Sequence, residues 1–157
     1  MFVFKAAVVG AGVMGGEIAQ VIAAADIPVI LKDVEQRFVD TGLEQARELS
    51  SKQAAKLVGK GRLTHEEGDE LVERIVANIS GATAYDGFGD VDFVIEAVPE
   101  IIELKQRVFA ELDAVTPGHA ILSSNTSSLS ISEIGEQTLR PDKVCLLYTS
   151  PSPRDRS

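Results

Sequence analysis

The chain has no tryptophan, two tyrosines and one cysteine, and aromatic residues make up only 5% of its 157 positions. A single cysteine, Cys145, excludes a disulfide framework and reads as an ordinary reduced thiol, so stability must come from a packed apolar core. Long hydrophobic runs are also missing. The longest, residues 21–31, is broken by Asp26 and Pro28 and is too short to span a bilayer. Residues 1–5 run into an apolar segment without the small-residue cleavage site of a secretory leader. A cytoplasmic protein with no membrane span is therefore expected. Positive charge is scarce: 15 Lys and Arg against 24 Asp and Glu give a net charge of -9. That argues against the basic face that nucleic acid or an anionic membrane requires. It leaves room for a local anion site built from backbone N–H groups.

What is present is the make-up of one globular domain, 45% hydrophobic and 25% charged. Residues 5–9 (KAAVV) form a short apolar run that stops at Gly10, as a buried strand does. Residues 14–25 are rich in alanine and predict a helix, which Asp26-Ile27-Pro28 ends; residues 29–32 predict a second strand. Residues 35–78 then predict a helical hairpin. Its first helix carries Val39, Leu43, Ala46, Ala54 and Leu57 on one face. Its second opens on a Thr64-His65-Glu66-Glu67 capping box and turns Leu71, Val72, Ile75 and Val76 inward. Strands are expected at 79–84, 91–98 and 120–124, with a helix at 102–115 and a short helix opened by a second capping box at 130–133. Strands alternating with helices predict an α/β fold with a parallel sheet covered on both faces. Residues 150–157 (SPSPRDRS) are too polar to offset their ordering entropy and are expected to be disordered.

Gly10-Ala11-Gly12-Val13-Met14-Gly15 matches G-x-G-x-x-G between a predicted strand and a predicted helix, the context that gives the pattern meaning. Gly10 permits the tight turn, Gly12 lets a pyrophosphate reach the backbone, and Gly15 lets the helix pack on the strand. The helix N-terminus offers unpaired N–H groups and a partial positive charge to phosphates. Asp33 follows 23 residues after Gly10, at the end of the second strand. A carboxylate there accepts bonds from the adenosine ribose hydroxyls and repels a 2′-phosphate, which predicts NAD rather than NADP. The structural alternative is a glycine turn beside a solvated aspartate. The fold these features predict is a Rossmann-type doubly wound parallel sheet with a helical hairpin insertion. No metal site is expected.

Four segments, GAGVMGG at 10–16, Lys32-Asp33, VIEAVPE at 94–100 and SNTSS at 124–128, occur in the order and spacing of one family. In these the chain resembles the NAD-binding half of the 3-hydroxyacyl-CoA dehydrogenases, over residues 5–144. The resemblance implies oxidation of an L-3-hydroxyacyl-CoA to the 3-ketoacyl-CoA in fatty acid β-oxidation, with NAD taking the hydride and a histidine as general base. It implies an acyl-CoA substrate, a hairpin that contributes to coenzyme A binding, and a full-length protein that is a homodimer or a multifunctional fusion. It places Met14 against the cofactor and Val98, Pro99 and Glu100 along the nicotinamide side. Lys105, by itself a solvated helix lysine, is implied to reach the cofactor and substrate region. Ser127, by itself a turn-stabilising serine, falls on the active-site serine. It would bond the substrate's 3-oxygen beside the cofactor.

The match stops near Val144. Tyr148 stands where the resemblance calls for the histidine, and an ordinary tyrosine is a poor base at neutral pH. His65, in a capping box, and His119, in a turn, are expected on the surface. The domain is thus expected to cover residues 1–144, with residues 145–157 a non-native, disordered tail, and the chain is expected to turn over little by itself. A regulatory NAD-sensing module without chemistry is the alternative from a different class. It accounts for the missing histidine but not for VIEAVPE followed by SNTSS.

Overall fold

A computed structural model describes residues 3–125 and, as backbone, residues 144–146. The strands are β1 (Ala6–Val9), β2 (Val29–Lys32), β3 (Ile79–Ala82), β4 (Phe93–Glu96), β5 (Ile121–Ser124) and β6 (Val144–Leu146). The helices are α1 (Val13–Ala24), α2 (Gln36–Gly59), α3 (His65–Ala77) and α4 (Ile102–Val115). The six strands form one sheet in the order β3-β2-β1-β4-β5-β6, every pair parallel. Ala6 lies beside Val29 on one side and Phe93 on the other. The strand order therefore reverses at β1, the switch point where open α/β sheets place ligands.

The core follows from strand alternation. Ala7 and Val9 face one side, where they meet Phe88, Val91, Val94, Val108, Phe109, Leu112 and Leu122. Ala6 and Val8 face the other, against Ala19, Ala23, Leu31, Ala46, Ile75 and Ile79. With helices on both faces, all four residues of β1 and of β2 are buried, as their near-continuous apolar sequence requires.

The hairpin is α2 and α3. Its buried line in α2 is Val39, Gly42, Ala46, Ser50 and Ala54; Leu43 and Leu57 are only partly covered. Ser50 was not expected there. Its hydroxyl satisfies itself on the Ala46 carbonyl (2.8 Å) and receives Gln20 Nε2 of α1 (3.4 Å), so a small polar seam joins α1 to α2. In α3 Val72 and Ile75 are buried, while Leu71 and Val76 are half-covered. The capping box is present: Thr64 Oγ1 accepts from Glu67 N (3.1 Å) and Thr64 N donates to Glu67 Oε1 (2.9 Å).

Two expected strands are shorter than their apolar runs. The third ends at Ala82 rather than residue 84. The fourth begins at Phe93 because a 3-10 turn, Phe88–Asp90, precedes it and sinks Phe88 into the core. Asp92 then ties this region to the chain's start, accepting from Phe4 N (2.8 Å) and Lys5 N (3.1 Å), with the His119 ring 2.9 Å away. These bonds, the His119 contact foremost, hold its carboxyl below the usual range. β6 pairs with β5 as the last strand in the sheet order. The second capping box (130–133), its helix and the 150–157 tail lie outside the described residues.

Thr64→Ala should remove the side-chain bond from Glu67 N while keeping the backbone bond to the Glu67 carboxylate, and lower stability by about 1 kcal/mol without altering the sheet. Urea unfolding at unchanged m-value would show this; an unchanged midpoint would contradict it.

Candidate dinucleotide-binding site

Strand β1 ends at Val9 and the chain must turn at once into α1. Gly10 makes the turn with φ +105, a region L side chains rarely adopt, and an added Cβ would lie 2.7 Å from the Ala97 carbonyl. The loops after β1 and β4 therefore abut. Gly15 serves the next step: an added Cβ there would fall on the Gly10 carbonyl oxygen, so only glycine lets α1 start this close to the strand. Gly12 differs. Nothing lies within 4 Å of an added Cβ, so its backbone faces open space. Gly12 is also the N-cap of α1, and no side chain caps it. The first-turn N–H groups thus keep their hydrogen-bonding capacity for a ligand.

These features open on a cleft of about 740 Å³ lined, among others, by Gly10, Gly12, Met14, Asp33, Val98, Pro99 and Glu100. Seven of the residues picked from sequence thus meet in one place. Gly15 and Lys105 stand behind the lining. Ser127 lies outside the described residues. Asp33 is fixed by its neighbours: Oδ2 accepts from Ala11 N (2.8 Å) and Oδ1 from Val34 N (2.6 Å). A carboxylate accepts about four bonds, so capacity for ligand hydroxyls is left. Met14, Val34 and Phe38 are among the few large exposed apolar side chains of the described residues, and all three line this cleft.

Sequence reasoning missed the polar residues of the walls. Lys32 is buried with its ammonium 4.1 Å from the centre of the Tyr85 ring, and both residues line the cleft. The Tyr85 hydroxyl donates to Glu111 Oε1 (2.6 Å). Burial, then Glu111, pushes its ionisation well above the usual range, so it stays a neutral donor. Lys105 is a correction to the solvated reading: it is fully buried. Its Nζ donates to Glu96 Oε2 (2.6 Å) and Val98 O (3.1 Å) and lies 3.0 Å from Glu100 Oε1. Those three partners match the three N–H bonds of an ammonium. The one signal of this arrangement in the sequence was Glu96 itself, a carboxylate inside the apolar run VIEAV.

A profile described as "3-hydroxyacyl-CoA dehydrogenase, NAD binding domain" matches residues 5–153, running past Val144. The chain belongs to that family. NAD is therefore its cofactor. Among curated relatives of this dehydrogenase family, the peroxisomal fatty acid beta-oxidation multifunctional protein MFP2 of Arabidopsis thaliana is 39% identical over 141 residues, covering 89% of this chain and 18% of that protein. The fatty acid oxidation complex subunit alpha of Pseudomonas aeruginosa is 40% identical over 143 residues, covering 91% and 19%. Among solved structures, 3-hydroxybutyryl-CoA dehydrogenase from Escherichia coli K12 superposes with a TM-score of 0.78 at 32% identity, covering 94% of this chain and 30% of that one. The (S)-3-hydroxybutyryl-CoA dehydrogenase from Ralstonia eutropha gives 0.78 at 31%, covering 91% and 48%. The chain thus spans about a fifth of the curated relatives it matches and at most half of these solved chains. None of its described helices is long and apolar enough to cross a membrane.

Gly12→Ala should leave the thermal midpoint within about 2 °C of the parent, because the Cβ meets nothing. It should weaken NAD binding about tenfold or more by filling space at the cleft. Thermal melting with and without NAD separates the two effects; equal ligand-induced stabilisation of both proteins would contradict the assignment.

Proposed function

We propose that this cleft takes NAD, with the diphosphate at the first-turn amides of α1, the adenosine ribose at Asp33 and the nicotinamide half along Val98, Pro99 and Glu100. One observation carries the reading: the uncapped start of α1, the open backbone of Gly12 and the carboxylate of Asp33 all face one cleft at the carboxyl ends of β1, β2 and β4. Pre-set geometry makes the site effective. Asp33 is held by two backbone N–H bonds, so it accepts ribose hydroxyls without reorganising. Its charge disfavours a 2′-phosphate at the same point. Met14 and Phe38 offer apolar surface to the flat parts of the ligand.

Within a longer protein, the proposed reaction is oxidation of an L-3-hydroxyacyl-CoA to its 3-ketoacyl-CoA in fatty acid β-oxidation. When bound, NAD supplies the hydride acceptor. Ser127 holds the substrate's 3-oxygen beside the cofactor. Neither histidine is the base: His65 opens α3, His119 contacts Asp92, and neither lines the cleft. The 157 residues alone accordingly bind NAD with little or no turnover. Acyl-CoA as substrate, a homodimer or multifunctional fusion as assembly, and a cytoplasmic location complete the proposal. The matched relatives named as multifunctional proteins support fusion, and two plant relatives are named peroxisomal and glyoxysomal.

Asp33→Ala is expected to weaken NAD binding about ten- to a hundredfold, the effect of losing a hydrogen bond to a charged group, and to narrow the preference for NAD over NADP. Titration calorimetry with both cofactors checks this; unchanged affinity for NAD would reject the role. A full-length relative carrying this domain should oxidise 3-hydroxyacyl-CoA and leave the free 3-hydroxy acid untouched, and the reverse preference would reject the substrate class.

A further inference from the structure

Glu96 is a fully buried charge with three polar partners. It closes β4 with no exposed surface, in a strand that is otherwise apolar. Its Oε1 accepts from Ser124 Oγ of β5 (2.6 Å). Its Oε2 accepts from Val98 N (2.7 Å) and from Lys105 Nζ of α4 (2.6 Å). One carboxylate thus gathers a neighbouring strand, a helix and the loop that follows its own strand. Charge-assisted bonds of this length are the strong class, and a buried charge is tolerable only when paired in this way. Glu96 does not line the cleft; Val98, Pro99 and Glu100, two to four residues on, do.

We propose that Glu96 is a positioning residue for the nicotinamide half of the cleft, an inference that rests on the cofactor reading above. It acts through Lys105. With Glu96 charged, the ammonium is held beneath the loop, where it takes the Val98 carbonyl and meets Glu100. The Val98 N–H is held by Glu96 itself, so both polar groups of that peptide segment are tied to one ion pair. Glu100 is the exposed arm of the cluster, its side chain 41% accessible against 0% for Lys105. Removing the Glu96 charge leaves Lys105 with Glu100 as its remaining carboxylate. That draws Glu100 inward and loosens the Val98–Glu100 wall, while the Asp33 and glycine-loop end keeps its own separate bonds.

The test is a comparison of two ligands that share the adenosine half. Glu96→Gln preserves size and removes the charge. Calorimetric titration of the chain with NAD and with ADP-ribose should show NAD weakened about tenfold and ADP-ribose within about twofold. In the Lys105→Met background the same substitution should add little, since the effect passes through the ammonium. A merely structural role would weaken both ligands together, and that result overturns the proposal, as does an unchanged NAD affinity. A wild-type chain that binds ADP-ribose as tightly as NAD overturns it too, leaving the adenosine half of the cofactor reading intact. Binding of neither ligand by wild type overturns the cofactor reading itself. If Glu96→Gln does not fold, Ser124→Ala removes one of the bonds that hold the Glu96 carboxylate against Lys105, so the ion pair is free to shift. It should lower the NAD-to-ADP-ribose affinity ratio a few-fold, and an unchanged ratio there is the contrary result.

Discussion

The start of α1 sits against the end of β1 so closely that the Gly10 carbonyl occupies the place a Gly15 side chain would need. Most of the site depends on that approach. It aims the first turn of α1 across the carboxyl ends of β1 and β4, and it brings Ala11 N within 2.8 Å of the Asp33 carboxylate just past the end of β2. A looser turn would move the helix N-terminus away from the acid, and neither could then serve the same ligand. The sheet order supplies the rest. Since β1 lies between β2 and β4, the loops that follow all three open on a common edge.

The two halves of the cleft are built by different physics. On the Asp33 side the contacts are backbone amides and one carboxylate, set by the conformation of a short loop. On the Val98–Glu100 side the wall is carried by a buried ion pair, Glu96 with Lys105, whose members come from a strand and a helix. The first kind lies within one strand–turn–helix–strand unit, where Ala11 meets Asp33 22 positions on. The second joins residues nine positions apart and adds Ser124, 28 positions away. A dinucleotide is a ligand that needs both, because its two ends differ in charge and shape while its middle is anionic.

Legibility in the sequence follows the same division. The glycine loop, Asp33 and the Thr64 capping box could be read directly, because spacing along the chain determines their geometry. Helix α4 was expected at its observed bounds, since an apolar stripe and the flanking Pro117-Gly118 mark it. Lys105 was placed in the right region by family resemblance. Its burial could not be read, since a helical lysine has the same pattern whether it faces water or a strand carboxylate. Glu96 went unremarked although a charge inside an apolar strand announces a buried partner. The expected third strand overran by two residues and the expected fourth by two at each end, its start yielding to the turn that buries Phe88. β6 was missed altogether, its three residues being too short to signal a strand without β5 beside them.

The central claim is that backbone amides at the front of α1 receive the diphosphate of a dinucleotide. Titrating the ¹⁵N-labelled chain with NAD and following each amide resonance tests it most directly. The account predicts saturable shifts, at one ligand per chain, largest for Ala11 to Met14 and accompanied by Val34 beside Asp33. Saturable binding that leaves those amides unmoved while shifting residues of the α2–α3 hairpin would contradict it.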